Sequence, residues 1–162
     1  TRSGSIDPAI LLYLQRQHGS TPDQIDSLLN HQSGLKGISG LSEDMRVILA
    51  ASEQGNPAAQ LALDLYIYRL RICLGGMIAA LEGIDVLSFT GGIGEHASLV
   101  RSRLCQRFGF LGLTLDEKKN ASASGDQKIS TRDSAVQVLV VKAEEDWEIA
   151  RSCSQIGSLQ DK

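Results

Sequence analysis

The stretch Ile84-Asp85-Val86-Leu87-Ser88-Phe89-Thr90-Gly91-Gly92-Ile93-Gly94-Glu95 decides the fold. Its first half is mostly apolar and contains β-branched residues, which predicts a buried strand. The glycines that follow predict a tight turn, after which we expect a helix from about His96 to Phe108. Glycines let the backbone approach a ligand, and a helix start offers free N–H groups and a positive dipole end to an anion. The stretch is typical of a phosphate site, and a tight turn without a ligand remains the alternative.

Four helices are predicted before this stretch. Asp7 and Pro8 open one that ends at His18, and Thr21 and Pro22 open a second that ends at His31. A glycine-rich connection over 33–40 separates them from a third helix, which begins at Ser42 or Glu43 and ends at Gln54. Asn56 caps a fourth helix that starts at Pro57 and runs to about Leu81. We expect its buried face to be the stripe formed by Leu61, Leu65, Tyr68 and Ile72.

The remaining segments complete an α/β pattern. Val136–Val141 is a second strongly β run, and Glu144–Ser154 predicts a closing helix. Leu111–Leu115 is a short strand candidate, whereas Glu117–Asp133 is polar and is interpreted as a surface excursion. Helices that alternate with a few buried strands favour a layered α/β domain whose central sheet contains both 84–89 and 136–141. The sequence shows no domain boundary within residues 1–162.

The composition limits the classes of function. Of 162 residues, 42% are apolar and 22% are charged, as in ordinary soluble globular domains. The net charge of −3 and the lack of a basic block argue against nucleic acid as a partner. No run reaches the ~18–20 apolar residues of a membrane span, so no membrane partner is expected. Cys73, Cys105 and Cys153 are an odd number of scattered thiols, which argues against a disulfide framework or a zinc site and favours a reducing cytoplasm.

Three further segments carry candidate functional residues, each with a plainer alternative. Arg2 has the planar fork that suits phosphate or carboxylate, but it also fits a surface arginine. Asp44 could accept from a ribose hydroxyl and Arg46 could stack on a base, or the two could form an ordinary acidic cap with a solvated arginine. The carboxylates of 144–146 follow a strand, where Mg²⁺ ligands occur, although acidic residues are also common at helix N-termini.

The order of these motifs resembles the acetate kinase family, members of the actin-like ATPase and sugar kinase superfamily. The family's Gly-Thr-Arg-Ser-Gly-Asp-Ile-Asp-Pro is similar to Thr1–Pro8, and its Phe-Thr-Gly-Gly-Ile-Gly-Glu-Asn to Phe89–His96. Four more family segments resemble, in the same order along the chain, residues 33–40, 43–46, 111–120 and 143–150. The resemblance covers nearly the whole chain, which starts at Thr1 inside a family motif.

The resemblance implies a fold, a reaction and a set of roles. The fold would be an actin-like ATPase (ribonuclease H-like) domain, with a mixed sheet flanked by helices, forming the single C-terminal nucleotide-binding domain of a larger two-domain kinase. The reaction would be reversible transfer of the ATP γ-phosphoryl group to acetate or propionate. Arg2 would be catalytic, Glu145 would be associated with Mg²⁺, and the nucleotide would be bound by Asp44, Met45, Arg46, Gly92, Ile93, Gly94, Glu95 and His96.

The resemblance also implies partners. These are a short-chain carboxylate, ATP or ADP with Mg²⁺, the N-terminal half of the same enzyme and a second copy in a homodimer. Three departures from the family pattern concern Ser5, His96 and 142–144. Because other catalytic groups of the family precede the segment present here, two hypotheses stay open. The chain is the C-terminal part of a carboxylate kinase and inactive alone, or it is an isolated nucleotide-binding and dimer-forming module without turnover.

Overall fold

The computed structural model describes residues 4–160, except for the side chains of 155 and 157–160. Arg2 lies outside the described residues. The chain divides into two compact units, Thr1–Ala80 and Leu81–Lys162, although the sequence shows no boundary at that point. Among the described residues, no helix is both long and apolar enough to cross a lipid bilayer.

The first unit is helical, and two of its helices begin where predicted, at Pro22 and Pro57. Another begins at Ala9, one residue after Pro8, and the helix predicted to begin at Ser42 or Glu43 begins only at Met45, because Asp44 is its cap. The helices of this unit are α1 Ala9–His18, α2 Pro22–His31, α3 Gly34–Ser39, α4 Met45–Glu53 and α5 Pro57–Ala80. At the start of α2, the Thr21 hydroxyl accepts from the Gln24 N–H at 3.2 Å, and the Gln24 side chain accepts from the Thr21 N–H at 2.9 Å. Asn56 accepts from the N–H groups of both Ala58 and Ala59, each at 3.0 Å, at the start of α5. The sequence signals for these helix starts are therefore confirmed.

The prediction of a glycine-rich connection at 33–40 is wrong, because most of this segment forms the short helix α3. Its glycines serve packing and termination rather than flexibility. An added Cβ at Gly37 would lie 2.6 Å from the carbonyl oxygen of Gln32, and Gly40 ends the helix in a left-handed conformation with φ of 67°. The same glycines that predict a loop are those that this tight helical turn requires.

The buried face predicted for α5 is also wrong. Leu61, Leu65, Tyr68 and Ile72 are exposed, with 54% of Leu61 accessible in this chain. The buried residues lie on the opposite side of the helix, which packs on α3 and α4: Ala59, Ala62, Leu63, Ile67, Leu74 and Ile78. Because α5 carries apolar side chains on several faces, the helical period alone does not identify the packed one.

The second unit is built on a three-stranded sheet. Its strands are β1 Val86–Phe89, β2 Gln127–Lys128 and β3 Gln137–Val140, in the order β1-β3-β2. β1 and β3 are parallel, with Val86 opposite Gln137 and Phe89 opposite Val140, while β2 is antiparallel to β3. The two segments predicted as strands thus share one mixed sheet, and the α/β fold class is confirmed. The burial predicted for the first of them is wrong, because β1 lies at the edge of the sheet and its residues are exposed or half-buried.

Helices cover this sheet, with several differences from the sequence expectations. They are α6 Gly91–His96, α7 Ser98–Cys105, α8 Glu117–Ala121 and α9 Glu145–Gln160, and residues Gln106–Leu111 form a 3₁₀ segment after α7. The expected single helix from His96 to Phe108 is therefore wrong at its start, since α6 begins within the glycine cluster. The break between α6 and α7 falls at Ala97, whose ψ of 78° is not helical.

Two predictions for 111–133 need correction. Leu111–Leu115 is not a strand, because it forms only an isolated bridge between Leu115 and Ser130. The polar segment 117–133 is not a surface excursion, since it contains α8 and β2 and buries Ile129 and Asn120. Polar residues are buried here because hydrogen bonds satisfy them.

Candidate functional site

A cavity of about 530 Å³ lies in the second unit where β1 and β3 end. Ligands of open α/β sheets bind at the carboxyl ends of parallel strands, which is where this cavity lies. The segments that follow the two strands form its wall: Gly91, Gly92, Glu95, His96, Lys142, Ala143, Glu144, Glu145, Asp146 and Trp147. The sheet therefore brings together two segments that are about fifty residues apart in the sequence.

Four of the predicted site residues line this cavity: Gly92, Glu95, His96 and Glu145. Ile93 and Gly94, which were also assigned to the nucleotide, do not line it. Gly94 instead faces β1, because an added Cβ there would lie 3.3 Å from the carbonyl carbon of Phe89. Its lack of a side chain lets α6 pack closely on the strand.

Glu95 connects the two walls of the cavity. One oxygen of its carboxylate, Oε1, accepts from the N–H of Gly91 at 3.1 Å and from the N–H of Ala143 at 2.9 Å. Gly91 opens α6 in a left-handed conformation with φ of 71°, and Ala143 precedes α9. The negative charge beside the glycine turn is thus shared with two backbone donors.

Arg101 donates hydrogen bonds to the backbone of the 91–96 turn. It was not identified from the sequence as a residue of the site. It is 1% exposed, and its Nη1 donates to the carbonyl oxygens of Gly94 and Glu95, both at 2.8 Å. Its Nε donates to Oδ1 of Asn120 at 2.8 Å, and its Nη2 to the carbonyl oxygen of Asn120 at 2.7 Å. Burial lowers the pKa of Arg101.

Asn120 and Glu117 on α8 complete this network. The side-chain amide of Asn120 donates to the carbonyl oxygen of Ser98 at 3.0 Å, and Glu117 accepts from the Ser102 hydroxyl at 2.7 Å. Asn120 is the last residue of one segment that resembles the acetate kinase family, so the sequence contains its signal. Nothing in the sequence pattern, however, connects Asn120 with Arg101, nineteen positions away.

Residues 142–146 form a part of the cavity wall that carries carboxylates. Lys142 Nζ lies 3.6 Å from Oε1 of Glu144 in an exposed ion pair, and the Lys142 N–H donates to Asp126 at 2.9 Å. Within residues 4–160, no three His, Cys, Asp or Glu side chains are arranged to hold a metal ion. Glu144, Glu145 and Asp146 contribute carboxylates to the cavity lining, and proteins usually bind Mg²⁺ through one or two carboxylates together with substrate phosphates and water. Glu145, on the first turn of α9, is the carboxylate assigned to that role by the family resemblance.

The segment 44–46 belongs to the first unit. Asp44 caps α4 by accepting from the Arg46 N–H at 2.9 Å, and it also accepts from Arg46 Nη2 at 2.6 Å. This contact with Arg46 lowers the pKa of Asp44. Met45 is buried in the core, whereas 88% of the Arg46 side chain is exposed. That this segment and 92–95 border one pocket stays a prediction, because the two belong to different units.

A second cavity, of about 410 Å³, lies in the first unit. Its lining is mostly apolar and includes Leu35, Ile38 and Leu65. Arg69 Nη2 donates to the hydroxyl of Ser5 at 2.7 Å beside it. The Ser5 departure from the family pattern is thus accommodated by a hydrogen bond.

Comparisons with known proteins agree on one family. The model of the acetokinase family matches residues 1–151. An acetate kinase of Rippkaea orientalis is 56% identical over 153 residues, which are 94% of this chain and 38% of the relative. Among solved structures, the acetate kinase of Porphyromonas gingivalis matches with a TM-score of 0.86 and 39% identity, covering 96% of this chain and 39% of that one.

A third match is the acetate kinase of Entamoeba histolytica, with a TM-score of 0.87, 35% identity and coverage of 96% of this chain and 41% of that one. The described fold is therefore that of the acetate kinases, which confirms the family and the actin-like ATPase fold. The chain spans about two fifths of the length of the relatives that it matches.

Proposed function

The chain belongs to the acetokinase family, and from this premise we propose that it is the C-terminal, nucleotide-binding part of a short-chain carboxylate kinase. The proposed reaction transfers the γ-phosphoryl group of ATP to acetate or propionate, giving an acyl phosphate and ADP reversibly. The observation that carries the proposal is the cavity in which the glycine turn of 91–96 faces Glu145 across the ends of two parallel strands.

The proposed roles follow from the chemistry of each group. The backbone N–H of Gly92 would hold the nucleotide phosphates, with His96 at the end of the same turn. Glu145 would hold Mg²⁺, which neutralises the phosphate charge that develops during transfer. Asp44 and Arg46 would lie at the adenosine. The side chain of Met45 is buried, so we assign its part in that contact to its backbone.

Arg2 is the proposed catalytic residue of this chain. A guanidinium group can engage a carboxylate in the ground state and offset charge on the transferring phosphoryl group in the transition state. In the full-length enzyme, Arg2→Ala should lower kcat strongly and leave ATP affinity nearly unchanged, since the adenosine contacts are made by other residues. A normal kcat in that variant would remove Arg2 from the mechanism.

The assay for the reaction traps the acyl phosphate with hydroxylamine and measures the coloured hydroxamate. We expect the full-length protein to produce hydroxamate only when ATP, Mg²⁺ and acetate or propionate are all present. We expect none from residues 1–162 alone, because phosphoryl transfer needs charge neutralisation from several directions. If the full-length protein makes no acyl phosphate from either acid, the kinase proposal is wrong and the binding module without turnover is favoured.

The exposed stripe on α5 favours self-association, which both hypotheses include. Leu61, Leu65, Tyr68 and Ile72 lie within an arc of about 60° on a helix that turns about 100° per residue. We propose that this stripe contributes to a two-fold homodimer in the cytoplasm. Sedimentation of the full-length protein should show a dimer that Leu61→Glu weakens, while Leu12→Glu, at a 51% exposed leucine of α1, does not. A wild-type monomer at high concentration would contradict the dimer.

A further inference from the structure

We propose that Glu95 is a positioning residue, whose carboxylate fixes the glycine turn relative to the segment that carries Glu145. This inference rests on the proposed function, because it concerns the nucleotide and Mg²⁺ site of the same cavity. It assigns Glu95 a role different from that of a direct nucleotide ligand.

The hydrogen bonds of Glu95 connect both walls of the cavity through a single atom. Its Oε1 accepts from Gly91 on the β1 side and from Ala143 on the β3 side, at 3.1 and 2.9 Å. Hydrogen bonds to an ionised acceptor are stronger than those between neutral groups. The partial positive charges of the two N–H groups also offset part of a negative charge that would otherwise repel the phosphates of a nucleotide.

The backbone of Glu95 is also held by a hydrogen bond. Arg101 donates to the Glu95 carbonyl oxygen at 2.8 Å and is itself anchored on Asn120. Because Arg101 is 1% exposed, this support lies in the core of the unit and is shielded from competing water. Glu95 is therefore fixed at two points, and its carboxylate cannot follow a movement of Ala143 without breaking a bond.

The bond to Ala143 sets the position of the metal carboxylate. The backbone carbonyl oxygen of Glu144 accepts from the N–H groups of Trp147 and Glu148 at 3.1 and 3.2 Å, so Glu144 joins Ala143 directly to the first turn of α9. Glu145 lies in that turn. Holding Ala143 thus restrains Glu145 relative to the backbone of Gly92, and these are the two groups that would hold the metal and the phosphates.

The experiment compares Glu95→Ala with Glu95→Gln in the full-length protein. Glutamine keeps an Oε1 that can accept from both N–H groups, whereas alanine removes the acceptor. Amide hydrogen exchange should be faster at Gly91 and Ala143 in Glu95→Ala and close to wild type in Glu95→Gln. The dissociation constant of Mg·ATP and the Mg²⁺ concentration for half-maximal activity should both rise about 10- to 100-fold in Glu95→Ala, the usual cost of losing a group that orients a metal ligand.

The controls separate positioning from charge and from general stability. Asp133→Ala removes one exposed carboxylate of the same unit and should leave both constants unchanged. Unfolding measured alongside identifies any loss of folded protein. The inference is overturned if Glu95→Ala binds Mg·ATP like wild type, or if Glu95→Gln is impaired as much as Glu95→Ala. If the wild-type protein binds no Mg·ATP, the proposed function is wrong. Amide exchange at Gly91 and Ala143 then still tests, independently, whether the Glu95 carboxylate holds the two segments together.

Discussion

Replacement of Arg101 by alanine tests the support of the glycine turn. The change removes four hydrogen bonds, to the carbonyl oxygens of Gly94, Glu95 and Asn120 and to the Asn120 side chain. Each buried polar group left without a partner costs about 1–3 kcal/mol of stability. Water that enters the vacated space will bond some of the four acceptors and so reduce the total loss. We therefore expect the second unit to lose about 3 kcal/mol of stability. Arg101→Lys should lose roughly half as much, because one ammonium group cannot reach both sides of the network.

Urea unfolding followed by tryptophan fluorescence measures this loss in the relevant unit. Trp147 is the only tryptophan of the chain and lies in the second unit, so any change in its emission on unfolding arises in that unit. With a urea dependence of about 1–3 kcal/mol per molar, the midpoint should fall by roughly 1–3 M. Arg107→Ala, at an exposed arginine six residues further on, should change stability by less than about 0.5 kcal/mol. A loss below about 1 kcal/mol for Arg101→Ala would refute the role assigned to the network.

Three other features give predictions of their own. Burial raises the pKa of Cys105 to about 12 from the ordinary 9.0. Because the thiol of the unfolded chain then loses its proton at lower pH than that of the folded chain, the free energy of unfolding should fall as pH rises from about 9 to 12. Unfolding experiments on Cys105→Ala should show a smaller fall. Gly112→Ala should lower the melting temperature more than Gly125→Ala, because both have positive φ but only at Gly112 would the new Cβ lie 2.9 Å from Ala135; equal shifts would contradict this. Thr21→Ala removes the capping hydroxyl of α2 and should cost about 1 kcal/mol, measured in urea, whereas Thr21→Ser should cost little.

Local signals in the sequence were sufficient where one residue acts on its own backbone. Thr21 and Asn56 mark the starts of their helices as predicted, because a cap is a contact within a few positions. The two apolar β runs were also identified, and they pair in one sheet as predicted. Burial was predicted for both, but only β3 contributes buried residues, Val138 and Val140. The resemblance to the acetate kinase family supplied the family membership and the more specific fold.

Several of the misassignments involve contacts that a residue makes outside its own helix or strand. At the end of α6, Arg101 donates to the carbonyl oxygens of Gly94 and Glu95, a contact that the glycine pattern does not reveal. The burial of Asn120 in a polar segment depends on the same arginine. Which face of α5 is buried depends on α3 and α4, and the apolar pattern of α5 itself does not specify it.

The candidate site shows the same division. The glycine turn and Glu145 were each identified from local pattern and family resemblance, and the structure places both on one cavity. The bonds of Glu95 to Gly91 and Ala143 could not be predicted, since a carboxylate after a glycine turn is equally consistent with a simple dipole interaction.

The central claim is that the cavity at the ends of β1 and β3 holds the nucleotide phosphates and their metal. A crystal structure of the full-length protein with ADP and Mn²⁺ in place of Mg²⁺ tests it most directly, because the anomalous signal of Mn²⁺ locates the metal. We predict a phosphate oxygen within about 3 Å of the Gly92 N–H, with the metal bound by Glu145 directly or through one water. Nucleotide bound elsewhere, with the 91–96 turn and Glu145 untouched, would contradict the account.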